Sequence, residues 1–166
     1  MKYEVLIVTN GFKGTWAAVE YGVWLAELTE AKVMLLAVTE KAGFATREDP
    51  HPLDTILAKA EDLLQNKGVE YRLERRGGDA EHVIPEVANR GDFLTVVSPL
   101  GRSQIRRWFA GRSFRALMEH IKGPILYVPE IRLPLRRLLI SSGGLGSEVG
   151  AGKLACQLGT RSRAGA

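Results

Sequence analysis

Apolar runs recur along the first 130 residues: "YEVLIVT" (3–9), "KVMLLAV" (32–38), "VEYRLERR" (69–76), "DFLTVVS" (92–98) and "PILYV" (124–128). The first, second and fourth show no apolar/polar alternation, as expected of strands covered on both faces of a parallel sheet. Between the runs, helical periodicity covers Thr15–Thr29, Leu53–Asn66, Asp79–Asn89 and Ser113–Ile121. This alternation predicts a doubly wound α/β layer with right-handed crossovers. Pro85, inside the third helical pattern, is expected to kink or delay that helix. The first helix carries Ala18, Gly22 and Ala26 at fourfold spacing, a smooth stripe able to lie close to the sheet. Its Trp16, Tyr21 and Trp24 read as core or interface packing.

Beyond Pro129 the chain changes character, yet its tail repeats its head. Leu6 and Ile7 match Leu139 and Ile140, Gly11 matches Gly144, Ala18 matches Ala151, and the small stripe returns as Ala151, Ala155 and Gly159. The offset is close to one domain length and suggests a tandem duplication that stops after its first strand and helix. We therefore divide the chain into a domain at 1–130, a linker at 131–134, and a C-terminal β-α extension at 135–166. Within that tail, "SEVGAGKL" (147–154) imitates a phosphate-binding loop, but Ser147 replaces its first glycine and Leu154 its magnesium-holding hydroxyl. It is rejected on those grounds.

Composition, 45% hydrophobic and 25% charged over 166 residues, is that of an ordinary globular chain. The single cysteine, Cys156, forms no internal bridge, and no paired Cys/His spacing reads as a zinc site. The N-terminal apolar run breaks at Asn10 and Gly11, too early for a signal peptide or a membrane span. A reducing, cytoplasmic setting without a membrane partner is the expectation. The net charge of +4 hides an acidic excess over residues 1–100 and a basic excess after them. The basic end would suit phosphate, an acidic partner or nucleic acid, the last being the weakest of the three readings. His51, His82 and His120 neighbour no candidate nucleophile, so no hydrolytic triad is legible and the chain is read as a non-enzyme.

The segment "SPLGRSQIRRWFAGRS" (98–113), with the "VTNGFKGT" turn after the first strand, resembles the universal stress protein family. The family's nucleotide signature is Gly, two residues, Gly, nine residues, Gly, then Ser or Thr; Gly101 and Gly111 keep the nine-residue separation. The sequence departs from it where Ser98 replaces the first glycine, Arg112 the hydroxyl residue with Ser113 one place late, and Asn10 the usual Asp. The resemblance implies a five-stranded parallel sheet of order 3-2-1-4-5, adenine-nucleotide alpha-hydrolase-like. Its strand reversal would set Thr9, Asn10 and Gly11 opposite Ser98 and Gly101, and Val38 against adenine.

On that reading Gly101 lets the backbone approach phosphate, Gly111 opens the last helix, and Arg102 and Arg112 are charged phosphate donors. ATP or another adenine nucleotide is the implied ligand, with magnesium not expected without nucleotide. The expected role is a stress-response module acting through a homodimer paired by the last strand, or through partners. The alternative is an interaction scaffold on the same fold, its phosphate loop filled by Arg112.

Overall fold

The computed structural model describes residues 3–39, 52–100, 115, 117, 119–131 and 133. The chain separates into two units, Met1–Ile131 and Arg132–Ala166. The second, apart from Leu133, lies outside the described residues, and so does the repeat read from the tail.

The apolar runs form five parallel strands: β1 (Glu4–Thr9), β2 (Val33–Thr39), β3 (Tyr71–Gly77), β4 (Phe93–Val97) and β5 (Ile125–Tyr127). Their order is β3-β2-β1-β4-β5, as the resemblance implies. Strand β1 is central, with Ile7 aligned to Leu35 of β2 on one side and Val96 of β4 on the other. Val5, Leu6, Ile7 and Val8 are wholly buried, which explains why the run does not alternate.

Helices α1 (Trp16–Thr29), α2 (Pro52–Asn66) and α3 (Ala80–Ala88) join the strands. Residues 115, 117, 119 and 120 are helical, within the fourth expected helix. One face of the sheet builds a core from Leu6, Val8, Leu36, Val38 and Val97 against Val83, Ile84 and Val87 of α3, with Leu117 and Ile121. The opposite face meets α1 through the small stripe. A methyl on Gly22 would lie 2.4 Å from Ile7 Cγ1, so the bare glycine is what lets α1 rest on β1.

Helix α3 begins immediately after Asp79, whose carboxylate accepts from the Glu81 N–H at 3.1 Å. The start is not delayed, and the helix runs through Pro85. The proline ring is buried, and its carbonyl still accepts the Asn89 N–H at 3.0 Å. Burial of the ring and continuation of the ladder beyond it offset the lost N–H. Asn89 then ties this helix to the approach to β5: its Nδ2 donates to the His120 carbonyl at 2.8 Å and its Oδ1 accepts from the Lys122 N–H at 2.9 Å.

The two sheet edges differ in chemistry. On β3, Arg72 pairs with Glu4 at 2.9 Å and Arg75 with Asp54 at 2.8 Å. Arg76 reaches Glu74 at 2.8 Å and Glu86 at 3.1 Å, and Arg90 closes the ring onto the same two carboxylates. Strand β5 is Ile-Leu-Tyr, half-buried throughout.

Gly22→Ala is expected to lower stability by about 1–3 kcal/mol through overpacking against Ile7. The sign is diagnostic, because the same change in an open helix interior would raise stability by about 1 kcal/mol. Denaturant unfolding of the two proteins decides it.

Candidate functional site

The strand order reverses between β1 and β4, and open parallel sheets bind ligands beyond the strand ends at such a point. Continuing the Ile7–Val96 register brings Thr9 level with Ser98. Alternation from Ile7 and Val96 puts both side chains on the α1 face. Thr9, Ser98 and Asn10 are all buried.

The turn leaving β1 consumes most of its own polar groups. The Gly11 N–H donates to Thr9 Oγ1 at 3.2 Å, and Thr15 Oγ1 donates to the Phe12 carbonyl at 2.7 Å. With its one proton so used, Thr15 accepts from the Thr9 hydroxyl across 2.7 Å. The Phe12 N–H donates to Asn10 Oδ1 at 3.4 Å, forming an Asx turn. Thr9 therefore acts as the keystone of the loop, and Asn10 keeps only its amide N–H groups for another purpose.

Gly11 has φ +83°, and a Cβ there would lie 2.5 Å from both Leu53 Cα and Leu53 N. Its missing side chain accommodates the first turn of α2. The backbone at Gly14 approaches β4 in the same way, since a Cβ would lie 3.2 Å from the Pro99 carbonyl oxygen. The loop is thus held between α2 and the chain leaving β4. Val38 lies at the end of β2, but its side chain is wholly buried in the α3-side core. It does not share a face with Thr9.

Ser98 is 2% exposed, and its Oγ has no hydrogen-bond partner among the described residues. Gly101, Arg102, Gly111, Arg112 and Ser113 lie outside the described residues. Among the described residues, no cluster of three His, Cys, Asp or Glu side chains could hold a metal, and no helix is long and apolar enough to cross a membrane. Away from the crevice, the hydrogen bond and charge of Arg115 hold the Glu119 carboxyl below its ordinary range.

Thr15, Gly14 and Leu53 complete this loop without having been singled out in the sequence. The signal for Thr15 was the "GFKGT" spacing, which returns a hydroxyl to the end of β1 after one tight turn. Nothing local pointed to Leu53.

Such a sheet, its strand order reversing between β1 and β4, defines the class of doubly wound α/β proteins. The sequence profile of the universal stress protein family matches residues 3–129, and the chain belongs to that family. Solved structures share the fold. A universal stress protein in complex with cAMP is 21% identical, with a TM-score of 0.59 over 77% of this chain and 98% of its own. A family member from Arabidopsis thaliana with AMP bound is 15% identical, with a TM-score of 0.56 over 78% of this chain and 92% of its own. The universal stress protein from Archaeoglobus fulgidus in complex with dAMP is 16% identical, with a TM-score of 0.52 over 77% of this chain and 99% of its own. No curated protein sequence matches the chain significantly.

Gly11→Ala is expected to destabilise the protein by about 1–3 kcal/mol, as overpacking against a fixed neighbour does. Because the clash is with Leu53 backbone atoms, adding Leu53→Ala will not restore the loss. Urea midpoints of the single and double variants test this.

Proposed function

We propose that this protein is an adenine-nucleotide-binding module that signals by binding and does not turn over its ligand. The observation that carries the reading is Ser98: a buried hydroxyl, unpaired among the described residues, beside a strand reversal of the kind at which open parallel sheets bind ligands. An unpaired buried polar group costs about 1–3 kcal/mol, so a ligand oxygen or ring nitrogen would recover that loss. Structural relatives bound to cAMP, AMP and dAMP support the ligand class. ATP is the triphosphate version of the same reading, with Arg102 and Arg112 as its phosphate donors.

Asn10 supports binding over hydrolysis. An amide with its oxygen engaged by the Phe12 N–H offers no general base and no carboxylate for magnesium. We further propose action in the cytoplasmic stress response through a homodimer formed along β5. The apolar β5 edge favours this, since the opposite edge is guarded by the β3 ion pairs. A second reading, an interaction scaffold, draws support from the internal use of Thr9, Gly11 and Val38.

Calorimetric titration with AMP and with Mg-ATP distinguishes the two, saturable heat being expected for the module and none for the scaffold. Ser98→Ala adds a test by opposite signs. Nucleotide affinity is expected to fall by about 0.5–1.5 kcal/mol, the net worth of one hydrogen bond, while unfolding stability holds or rises. Stability that falls together with unchanged affinity would make Ser98 a structural residue. For the dimer, Ile125→Lys is expected to bring the light-scattering mass down to that of one chain, with the far-ultraviolet dichroism unchanged.

A further inference from the structure

Of the three asparagines in the chain, only Asn10 precedes a glycine. In that dipeptide the following backbone nitrogen meets no side chain as it attacks the asparagine Cγ. The new N–Cγ bond closes a succinimide, the Cγ–Nδ2 bond breaks, and Nδ2 leaves as ammonia with the proton the Gly11 nitrogen gives up. Water then opens the ring, at Cγ to give aspartate or at the backbone carbonyl to give isoaspartate. No electrons are exchanged, and the balance is an amide and water becoming a carboxylate and an ammonium ion.

Position 11 cannot shed this liability, because any side chain there would meet the Leu53 backbone. The structure meets it in another way. The attacking Gly11 nitrogen keeps its proton in a 3.2 Å hydrogen bond to Thr9 Oγ1. The target amide is pinned by the Phe12 N–H on Oδ1, and Asn10 is 4% exposed. The Thr9 hydroxyl spends its proton on Thr15 Oγ1 at 2.7 Å, a bond separate from the one it accepts from Gly11. We propose that Asn10–Gly11 is a deamidation site held shut by the Thr9 hydroxyl, and that opening of the β1–α1 turn converts Asn10 to a carboxylate. The folded loop already accommodates that product, since an aspartate oxygen can accept the same Phe12 N–H. Conversion would add a negative charge at the mouth of the crevice.

Peptide mapping by mass spectrometry, with enzymatic methylation to count isoaspartate, tests this on the full chain incubated at neutral pH and body temperature. Folded wild type is expected to retain Asn10, and the chain in urea to lose it. Thr9→Val in the folded state is expected to deamidate about fivefold faster than wild type, the equivalent of one net hydrogen bond. Thr15→Val keeps the Thr9–Gly11 bond and loosens the turn, so it is expected to stay nearer wild type. Equal rates for folded and unfolded wild type, or an intact Asn10 in both, would overturn the proposal. So would equal acceleration by Thr9→Val and Thr15→Val, which would assign the protection to general packing. The readout is mass at one residue and does not depend on whether nucleotide binds.

Discussion

The close seat of α1 on β1 is the contact on which the remaining geometry depends. With no side chain at Gly22, the helix descends onto Ile7, and Ile7 lies in the central strand, aligned with both β2 and β4. A helix that close must be entered by a tight turn, and the turn is confined by its neighbours. Gly11 meets the first turn of α2, and Gly14 meets the carbonyl of Pro99 beyond β4. The mouth of the crevice therefore inherits its shape from packing. This is the usual relation in doubly wound folds, where a rigid sheet aims its connecting loops.

Charge does a different task. The pairs along β3 involve partly or largely exposed side chains, and such pairs contribute about 0–1 kcal/mol each. Their main effect is on association, since a charged edge strand resists pairing with another chain. Strand β5, Ile-Leu-Tyr, carries no Lys, Arg, Asp or Glu of its own, so the two edges differ in chemistry. The Glu74–Arg76–Glu86–Arg90 ring also joins β3 to α3, linking the guarded edge to the helix that covers the second face.

Strands and helices were legible because each follows from local rules. Continuous apolar runs announced β1, β2 and β4, and the small stripe announced which face of α1 meets the sheet. The beginning of α3 was legible at Asp79. The effect of Pro85 was not, because it depends on burial of the ring, a property of tertiary packing. At the site, sequence reasoning named residues beside the strand reversal but could not assign their partners. Thr9 reads as a ligand group until Thr15 is found beside it, and Gly11 reads as a crevice residue until Leu53 is found against it. Val38 sits at the expected strand end while its side chain turns into the core, a matter of strand parity relative to the helices. The reading of residues 101–113 lies outside the described residues.

The hydroxyls of this sheet illustrate how a site is told from a packing accident. Thr9 and Thr15 satisfy one another and the backbone around them, so they fix the loop and leave nothing for a ligand. Thr95 and Ser98, both on or just beyond β4, bury hydroxyls that have no partner among the described residues. An unpaired hydroxyl is therefore no sign of binding by itself. Thr95 lies within the strand, wholly buried, and its methyl suits an apolar interior. Ser98 has only its hydroxyl and lies past the strand end, level with the turn that closes the crevice. Serine has no packing advantage there over the glycine of the family signature. On the proposed reading its hydroxyl meets a polar group of the ligand, and the Asn10 amide, with its oxygen engaged by the Phe12 N–H, would favour one that accepts hydrogen bonds.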